Sequence, residues 1–257
     1  MPTSFFGWVA YLANEYSGLF LRGTANTLFI AILGTTLGFL LGLLVAILRS
    51  IELGPRAGAL KRVPLKILHG FLTTYIEVFR GTPMIVQAMV IFYGTMSALN
   101  VSLPRMFAAI LVITINTGAY MAEIIRGGII SIDKGQTEAA RSIGLTHWQT
   151  MVSVVLPQAI RNIMPSIGNE FIINIKDSSV LNVISVTELF FQAKSAAGTY
   201  YRYFETYFIV AVIYLMLTFT VTRILRFIER KMDGPEHYTV LGSQNDSRAN
   251  FTVTKEA

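Results

Sequence analysis

Cysteine is absent from the 257-residue chain, which excludes disulfides, thiolate zinc sites and Cys-ligated iron–sulfur clusters. Histidine is almost absent. His69, His147 and His237 stand in different segments without acidic companions at ligand spacing, so no metal site is expected. Charge is also scarce, with Asp, Glu, Lys and Arg at 14% of the residues against about 25% in an ordinary soluble domain. No G-x-x-x-x-G-K-[ST] loop occurs, so the chain does not hold nucleotide by that device, and no G-x-S-x-G nucleophile elbow supports an enzyme reading. The N-terminus has neither a basic n-region nor a small-residue cleavage site, so no removable signal peptide is expected.

Apolar sequence takes the place of what is missing. Hydrophobic residues make up 53% of the chain and the mean hydropathy is +0.55, with apolar runs long enough to cross a hydrocarbon core of about 30 Å. The net charge of +6 does not point to nucleic acid, because Lys and Arg cluster beside the apolar runs, as topology signals facing an anionic leaflet do. The expected fold class is all-α: a polytopic membrane protein of about five transmembrane helices, near residues 23–48, 67–98, 106–125, 158–175 and 203–222. Residues 1–22 read as an interfacial amphipathic segment carrying Phe5, Trp8, Leu12 and Tyr16 at helical spacing. Arg49, Arg56, Lys61, Arg62 and Lys66 follow the first span against the single acid Glu52, and Arg223, Arg226, Arg230 and Lys231 follow the last. Both clusters give an N-out, C-in orientation. Residues 176–201 read as an outer connection, and 233–257 as a flexible polar tail.

Three features interrupt this pattern. Gly34, Gly38 and Gly42 recur every four residues, a small-residue stripe that lets another helix approach closely. Arg80-Gly81-Thr82-Pro83 should break or kink the second span, since Pro83 lacks a backbone donor. Between the third and fourth spans, residues 126–157 form a polar, helix-prone island. Its core, 135–157, has a break at Gly144, a new helix start at Thr146 and a stop at Leu156-Pro157, and reads as a helix-turn-helix presented to a partner.

Several polar side chains fall at membrane depth: Arg80, Gln87, Asn116, Tyr120, Glu123, Asn162, Asn169 and Glu170. Such groups mark a pathway or bond one helix to another, and for the amides both readings stay open. Glu170, near mid-span, is assigned to a substrate path. Glu123 suits a local ion pair with Arg126, and Arg80 either pairs with Glu77 or shapes the pore beside Gly81, Thr82 and Pro83. Lys176, Asp177 and Ser178 read as an outer turn or as a gate.

The island resembles the E-A-A-x3-G-x9-I-x-L-P loop of permease subunits of ABC importers, with Glu138-Ala139-Ala140, Gly144, Val154 in the Ile position and Leu156-Pro157. Residues 75–83, 118–129, Gly135-Gln136, Leu156-Pro157-Gln158-Ala159 and Lys176-Asp177-Ser178-Ser179 resemble the polar amino-acid branch of that family. The resemblance implies alternating access between two such permeases, identical or homologous, in the cell membrane, each docked on an ATP-binding subunit. ATP and Mg would be bound there, with no cofactor on this chain, and an extracytoplasmic solute-binding protein would deliver a polar amino acid. Glu138, Ala139, Ala140, Gly144, Leu145, Thr146, His147 and Trp148 would then couple to the ATPase. The alternative is a self-sufficient proton-coupled carrier using Glu123 or Glu170.

Overall fold

The computed structural model describes residues 2–51, 58–233, 237–240 and 251–254. Glu52 and Arg56 of the expected basic connection, and most of the expected tail, lie outside the described residues. The helices in chain order are α1 Phe5–Glu15, α2 Ser17–Arg49, α3 Ala59–Gly81, α4 Met84–Leu99, α5 Arg105–Ile130, α6 Lys134–Ser142, α7 His147–Thr150, α8 Leu156–Asp177, α9 Leu189–Tyr200 and α10 Tyr203–Asp233. A π-helical turn, Met151–Val155, joins α7 to α8, and a 3-10 segment, Ser178–Ile184, follows α8. Among the described residues the only strands are His237–Val240 and Phe251–Thr254, which pair antiparallel within the expected tail.

The α2 sequence is apolar on every side, and such a helix belongs inside a bundle or a bilayer. Its 33 residues span about 50 Å at 1.5 Å per residue, more than a hydrocarbon core needs. It lies along α5, and the glycine stripe is the contact. Gly34, Gly38 and Gly42 are all buried. A Cβ on Gly38 would sit 2.7 Å from Thr117 Cβ, and one on Gly42 would sit 2.5 Å from Met121 Cβ and 2.9 Å from the Ala122 amide nitrogen. The two backbones therefore touch with no side chain between them.

Around this pair the core divides by height. Ile30 of α2, Ala88 of α4 and Ala108, Ala109, Val112 and Ile113 of α5 pack with Leu181, Ile184 and Val186. The last three belong to the stretch expected as an outer connection, which is instead among the most enclosed parts of the molecule. α9 lies in the same stretch, so residues 176–201 are largely helical. The sequence gives no sign of this burial, because the mostly apolar run Val180–Ile184 is too short for a span and its packing depends on α2, α4 and α5, which are distant in sequence.

α1 also differs from expectation. Trp8 and Leu12 are buried against Leu189, Ala193 and Ala196 of α9 and Ile209 and Val210 of α10. The stripe assigned to lipid thus packs on protein, while Phe6 faces outward. Arg202 lies over the Trp8 ring at 4.6 Å.

α2, α5 and α10 are each long and apolar enough to cross a membrane, and α3 with α4, bent by 115° at their junction, make a fourth span if counted together. α8 is the most polar of the long helices that the sequence counted as spans. Two bonds anchor its C-terminal end to other helices: the Asn174 amide donates to Thr35 Oγ1 of α2 at 2.8 Å and to Thr117 Oγ1 of α5 at 3.0 Å; Ser178 Oγ closes the last turn on the Ile175 carbonyl.

Gly42→Val should lower stability by roughly 1–3 kcal/mol through overpacking against Met121, measured as a fall in the thermal unfolding midpoint in detergent. Gly127→Val, at a glycine with no neighbour within 4 Å, should leave the midpoint almost unchanged. Equal midpoints for the two variants would contradict direct backbone contact between α2 and α5.

Candidate functional site

Two polar constructions interrupt the apolar bundle: a broken helix with its carboxylate cluster, and the segment between α5 and α8. The first begins at Thr82 and Pro83, whose extended backbone separates α3 from α4. Breaking a helix in an apolar surround leaves carbonyls without partners, each costly if unmet. Gln87 meets them. Its buried amide nitrogen lies 2.9 Å from the Phe79 carbonyl, the Thr82 carbonyl and Thr82 Oγ1. Asn116 of α5 donates to Gln87 Oε1 at 2.9 Å and to the Phe79 carbonyl at 3.3 Å. Both amides therefore hold the break in shape, and Thr82 Oγ1 donates back to the Val78 carbonyl. Gly81, Thr82 and Pro83 are exposed.

Beside the break, Glu123 gathers three arginines. It accepts from Arg49 Nη1 of α2 at 2.7 Å and from Arg126 Nη2 at 2.7 Å, and Arg80 Nη1 approaches at 3.9 Å. The expected Glu123–Arg126 pair is present, but Arg80 turns to Glu123 on α5 rather than to Glu77 on its own helix. Arg80 also lies over the Tyr120 ring at 5.5 Å. Because Arg49 and Arg126 occupy the carboxylate at close range, the Arg80 guanidinium keeps donors free for another anion. Arg80 and Asp177 are the charged groups that act on Glu170, which is half-buried on α8, while Asn169 beside it is exposed. The structure thus groups Arg80, Gln87, Asn116 and Tyr120 at the break and couples Glu170 to Arg80 electrostatically. Asn162 lies elsewhere, donating to Ser131 Oγ at 3.0 Å. Lys176, Asp177 and Ser178 form no open turn: the helix tightens directly into the 3-10 segment.

The second construction joins α5 to α8. Asp133 caps α6 by accepting from the Gly135 amide at 2.6 Å. Glu138 and Ala139 are exposed on α6, and Ala140 is buried beneath them. Gly144 then takes φ +86°, the left-handed backbone that ends a helix and that glycine adopts without penalty. Leu145 returns its amide to the Ala140 carbonyl at 3.2 Å. Thr146 opens α7 with a reciprocal capping box: the Gln149 amide donates to Thr146 Oγ1, and the Thr146 amide donates to Gln149 Oε1. The Arg141 guanidinium and His147 Nδ1, 3.2 Å apart, tie the two arms together.

Leu156-Pro157, expected to stop the helix, does not. The π turn widens the spiral so that the Leu156 amide reaches the Met151 carbonyl, and Pro157 falls in the first turn of α8, where a missing donor costs little. α7 therefore runs into α8 as one continuous rod.

Four residues that the sequence reading did not single out for the site matter here. Ile143 is 79% exposed and Trp148 73%, so beside the expected Trp148 the turn carries a second bare apolar side chain; its place next to Gly144 was the available signal. Arg49 was counted only as a topology charge. Asn174 gave no signal, because its partners lie in other helices. Glu188 is fully buried and caps α9, accepting from the amides of Phe190 at 2.8 Å and Phe191 at 2.7 Å and from the Tyr214 hydroxyl at 3.1 Å.

Comparison with known proteins agrees with this architecture. Residues 38–234 match the family described as binding-protein-dependent transport system inner membrane component. The glutamine transport system permease protein GlnP of Escherichia coli strain K12 is 39% identical over 215 residues, 83% of this chain and 93% of that protein. The arginine transport system permease protein ArtQ of Bacillus subtilis is 34% identical over 212 residues, 82% of this chain and 91% of that one. Among solved structures, a chain of an amino acid ABC transporter with histidines superposes with a TM-score of 0.78 at 39% identity, covering 90% of this chain and 100% of that one. A chain of the inward-facing MetNI methionine ABC transporter shares the fold, with a TM-score of 0.69 at 20% identity over 85% of this chain and 98% of that one. The bundle, the capped helical turn between α5 and α8 and these likenesses lead to one conclusion: the chain belongs to the binding-protein-dependent transport system inner membrane component family, the permease subunits of ABC importers, in which ATP hydrolysis resides on a separate subunit.

Proposed function

We propose that this permease forms the membrane pathway of an importer for polar amino acids and is driven through the segment 134–155 by an ATP-binding subunit that carries ATP and Mg. The observation that carries the coupling role is the rod: α7, the π turn and α8 are continuous, and the bare side chains of Ile143 and Trp148 stand at its tip. A partner that seats Ile143, Trp148 and the exposed face of Glu138 and Ala139 can push α8 lengthwise, whereas a floppy loop would absorb the displacement. Ala140, Gly144, Leu145, Thr146 and His147 set the angle between the two arms.

The Lys and Arg clusters after α2 and in α10 support five spans with N-out, C-in orientation in the cytoplasmic membrane, with α8 as the fifth and its polar face turned from lipid. A second permease, identical or homologous, completes the pathway on that face, and an extracytoplasmic solute-binding protein delivers the substrate. The named substrates of the relatives, glutamine and arginine, carry both charges of an α-amino acid. Glu170 with Asn169 suits the ammonium or a cationic side chain, and Arg80 over Tyr120 suits the carboxylate. Gln87 and Asn116 support that pocket from behind by fixing the break at Gly81, Thr82 and Pro83, and motion at Lys176, Asp177 and Ser178 opens or shuts it.

In proteoliposomes holding the permease, its ATPase and the binding protein, Glu170→Gln should reduce uptake about 10- to 100-fold, the loss of one charge-assisted bond, and should change substrate preference. Unchanged uptake and preference would remove Glu170 from the pathway. Gly144→Val places a branched side chain at φ +86°, a strain of roughly 1–2 kcal/mol, and should lower transport per ATP hydrolysed more than Gly144→Ala does. Wild-type coupling in the valine variant would contradict the lever.

A further inference from the structure

One cleft lies apart from the coupling segment and shares only Lys176 with the proposed pathway. It lies between α8 and α10, encloses about 330 Å³ and is lined by Ile172, Lys176, Leu215, Thr218, Phe219, Thr222, Arg223 and Arg226. Its walls are of two kinds, an apolar floor and three cations. No carboxylate lines it. Among the described residues, the ion pairs formed are those of Glu123 and of Glu205 with Arg202, so Lys176, Arg223 and Arg226 have no acid within 4.0 Å. Arg223 is held over the Phe219 ring at 4.8 Å, which sets its guanidinium above the apolar floor. Thr218 and Thr222 donate their hydroxyls to carbonyls of their own helix, Tyr214 and Thr218, and so present only acceptors to the cleft.

Three cations without an ion pair within 4.0 Å beside exposed apolar surface suit an anion, and one with an apolar body would cover Leu215 and Phe219, which are 66% and 56% exposed. A second copy of this chain with the cleft on its two-fold axis does not meet that need, because the patch would face itself and bring six cations together without an acid. Glu170, the acid of the proposed amino-acid path, lies on the opposite side of α8 from Ile172 and Lys176, so it does not reach the three cations. Of the three helices that are each long and apolar enough to cross a membrane, α10 is the least enclosed within the chain, with 11% of its apolar window buried against 39% for α2 and 56% for α5, which leaves its surface open to lipid. Basic pockets between membrane helices beside a cationic helix end are suited to anionic headgroups.

We propose that the α8–α10 cleft binds one anionic phospholipid per chain, its phosphate among Lys176, Arg223 and Arg226 and an acyl chain over Ile172, Leu215 and Phe219. The lipid bridges α8, the rod that the coupling segment moves, to the outward-facing α10, so its occupancy sets how freely the two helices slide.

The test is native mass spectrometry of the full chain in mild detergent, titrated with phosphatidylglycerol or with phosphatidylcholine of the same acyl chains. The expected result is one tightly retained phosphatidylglycerol and no comparable phosphatidylcholine. Arg223→Gln with Arg226→Gln should weaken retention about 30-fold, a factor of about five for each charge removed, while Arg230→Gln, outside the cleft, should not. If the double variant fails to elute as a single folded species, either single variant reads the same site at about fivefold. Equal retention by wild type and folded variant would overturn the proposal. So would equal binding of phosphatidylcholine, which would make the cleft merely apolar, or displacement of the lipid by millimolar inorganic phosphate, which would make it a free-anion site.

Discussion

Direct contact between the backbones of α2 and α5 is the constraint on which the remaining geometry rests. With lipid outside, no hydrophobic force drives one apolar helix onto another, and close approach over small residues supplies the van der Waals gain instead. Gly34, Gly38 and Gly42 make that approach possible along about two turns of helix, and it brings Thr35 and Thr117 near enough for one amide, Asn174, to bond both. α8 is thereby pinned to the pair at its far end, and Ile163 packs its near half on Ala46 and Ile125. The rod is tied to α2 and α5 at two levels, and beyond them α7 carries the exposed Trp148 in the segment proposed for coupling.

The polar groups follow the same economy of partners. A helix broken at Thr82 and Pro83 would leave carbonyls bare in an apolar surround, so Gln87 and Asn116 are committed to them. The carboxylate of Glu123 is surrounded by three arginines, two at hydrogen-bond distance and one held farther out over Tyr120. That imbalance gives the site its character: Arg49 and Arg126 neutralise Glu123, and Arg80, held farther out, acts by its charge on Glu170 as well. Of the two carboxylates in the proton-carrier reading, Glu123 is tied on both oxygens, which leaves Glu170 as the one such a carrier would use.

Much of this was legible in the residues because the signals are local. Three glycines recurring every four residues mark one helix face, Gly-Thr-Pro marks a break, and Thr146 with Gln149 three residues on marks a capping box. What was not legible depends on partners remote in the chain. Asn174 bonds residues 139 and 57 positions away, so no window of sequence distinguishes it from Asn169. For Arg80 the sequence offered the nearest acid, Glu77, or a place in shaping the pore, and the fold brings it instead within 3.9 Å of Glu123. Glu188 sits in a stretch too short and mixed to read as a span, where an acid suggests solvent; it is instead buried as the cap of α9. Pro157 read as a stop because the π turn that accommodates it has no sequence signature.

The central claim is that ATP hydrolysis on a separate subunit, transmitted through residues 134–155, drives uptake along this chain. The most direct measurement is uptake of labelled glutamine or arginine into liposomes that contain the permease and its ATPase, with the binding protein outside. Uptake is compared between ATP enclosed in the vesicle and a proton gradient without ATP. Accumulation that needs both ATP and the ATPase is the predicted result; accumulation driven by the proton gradient in liposomes holding this chain alone would contradict it.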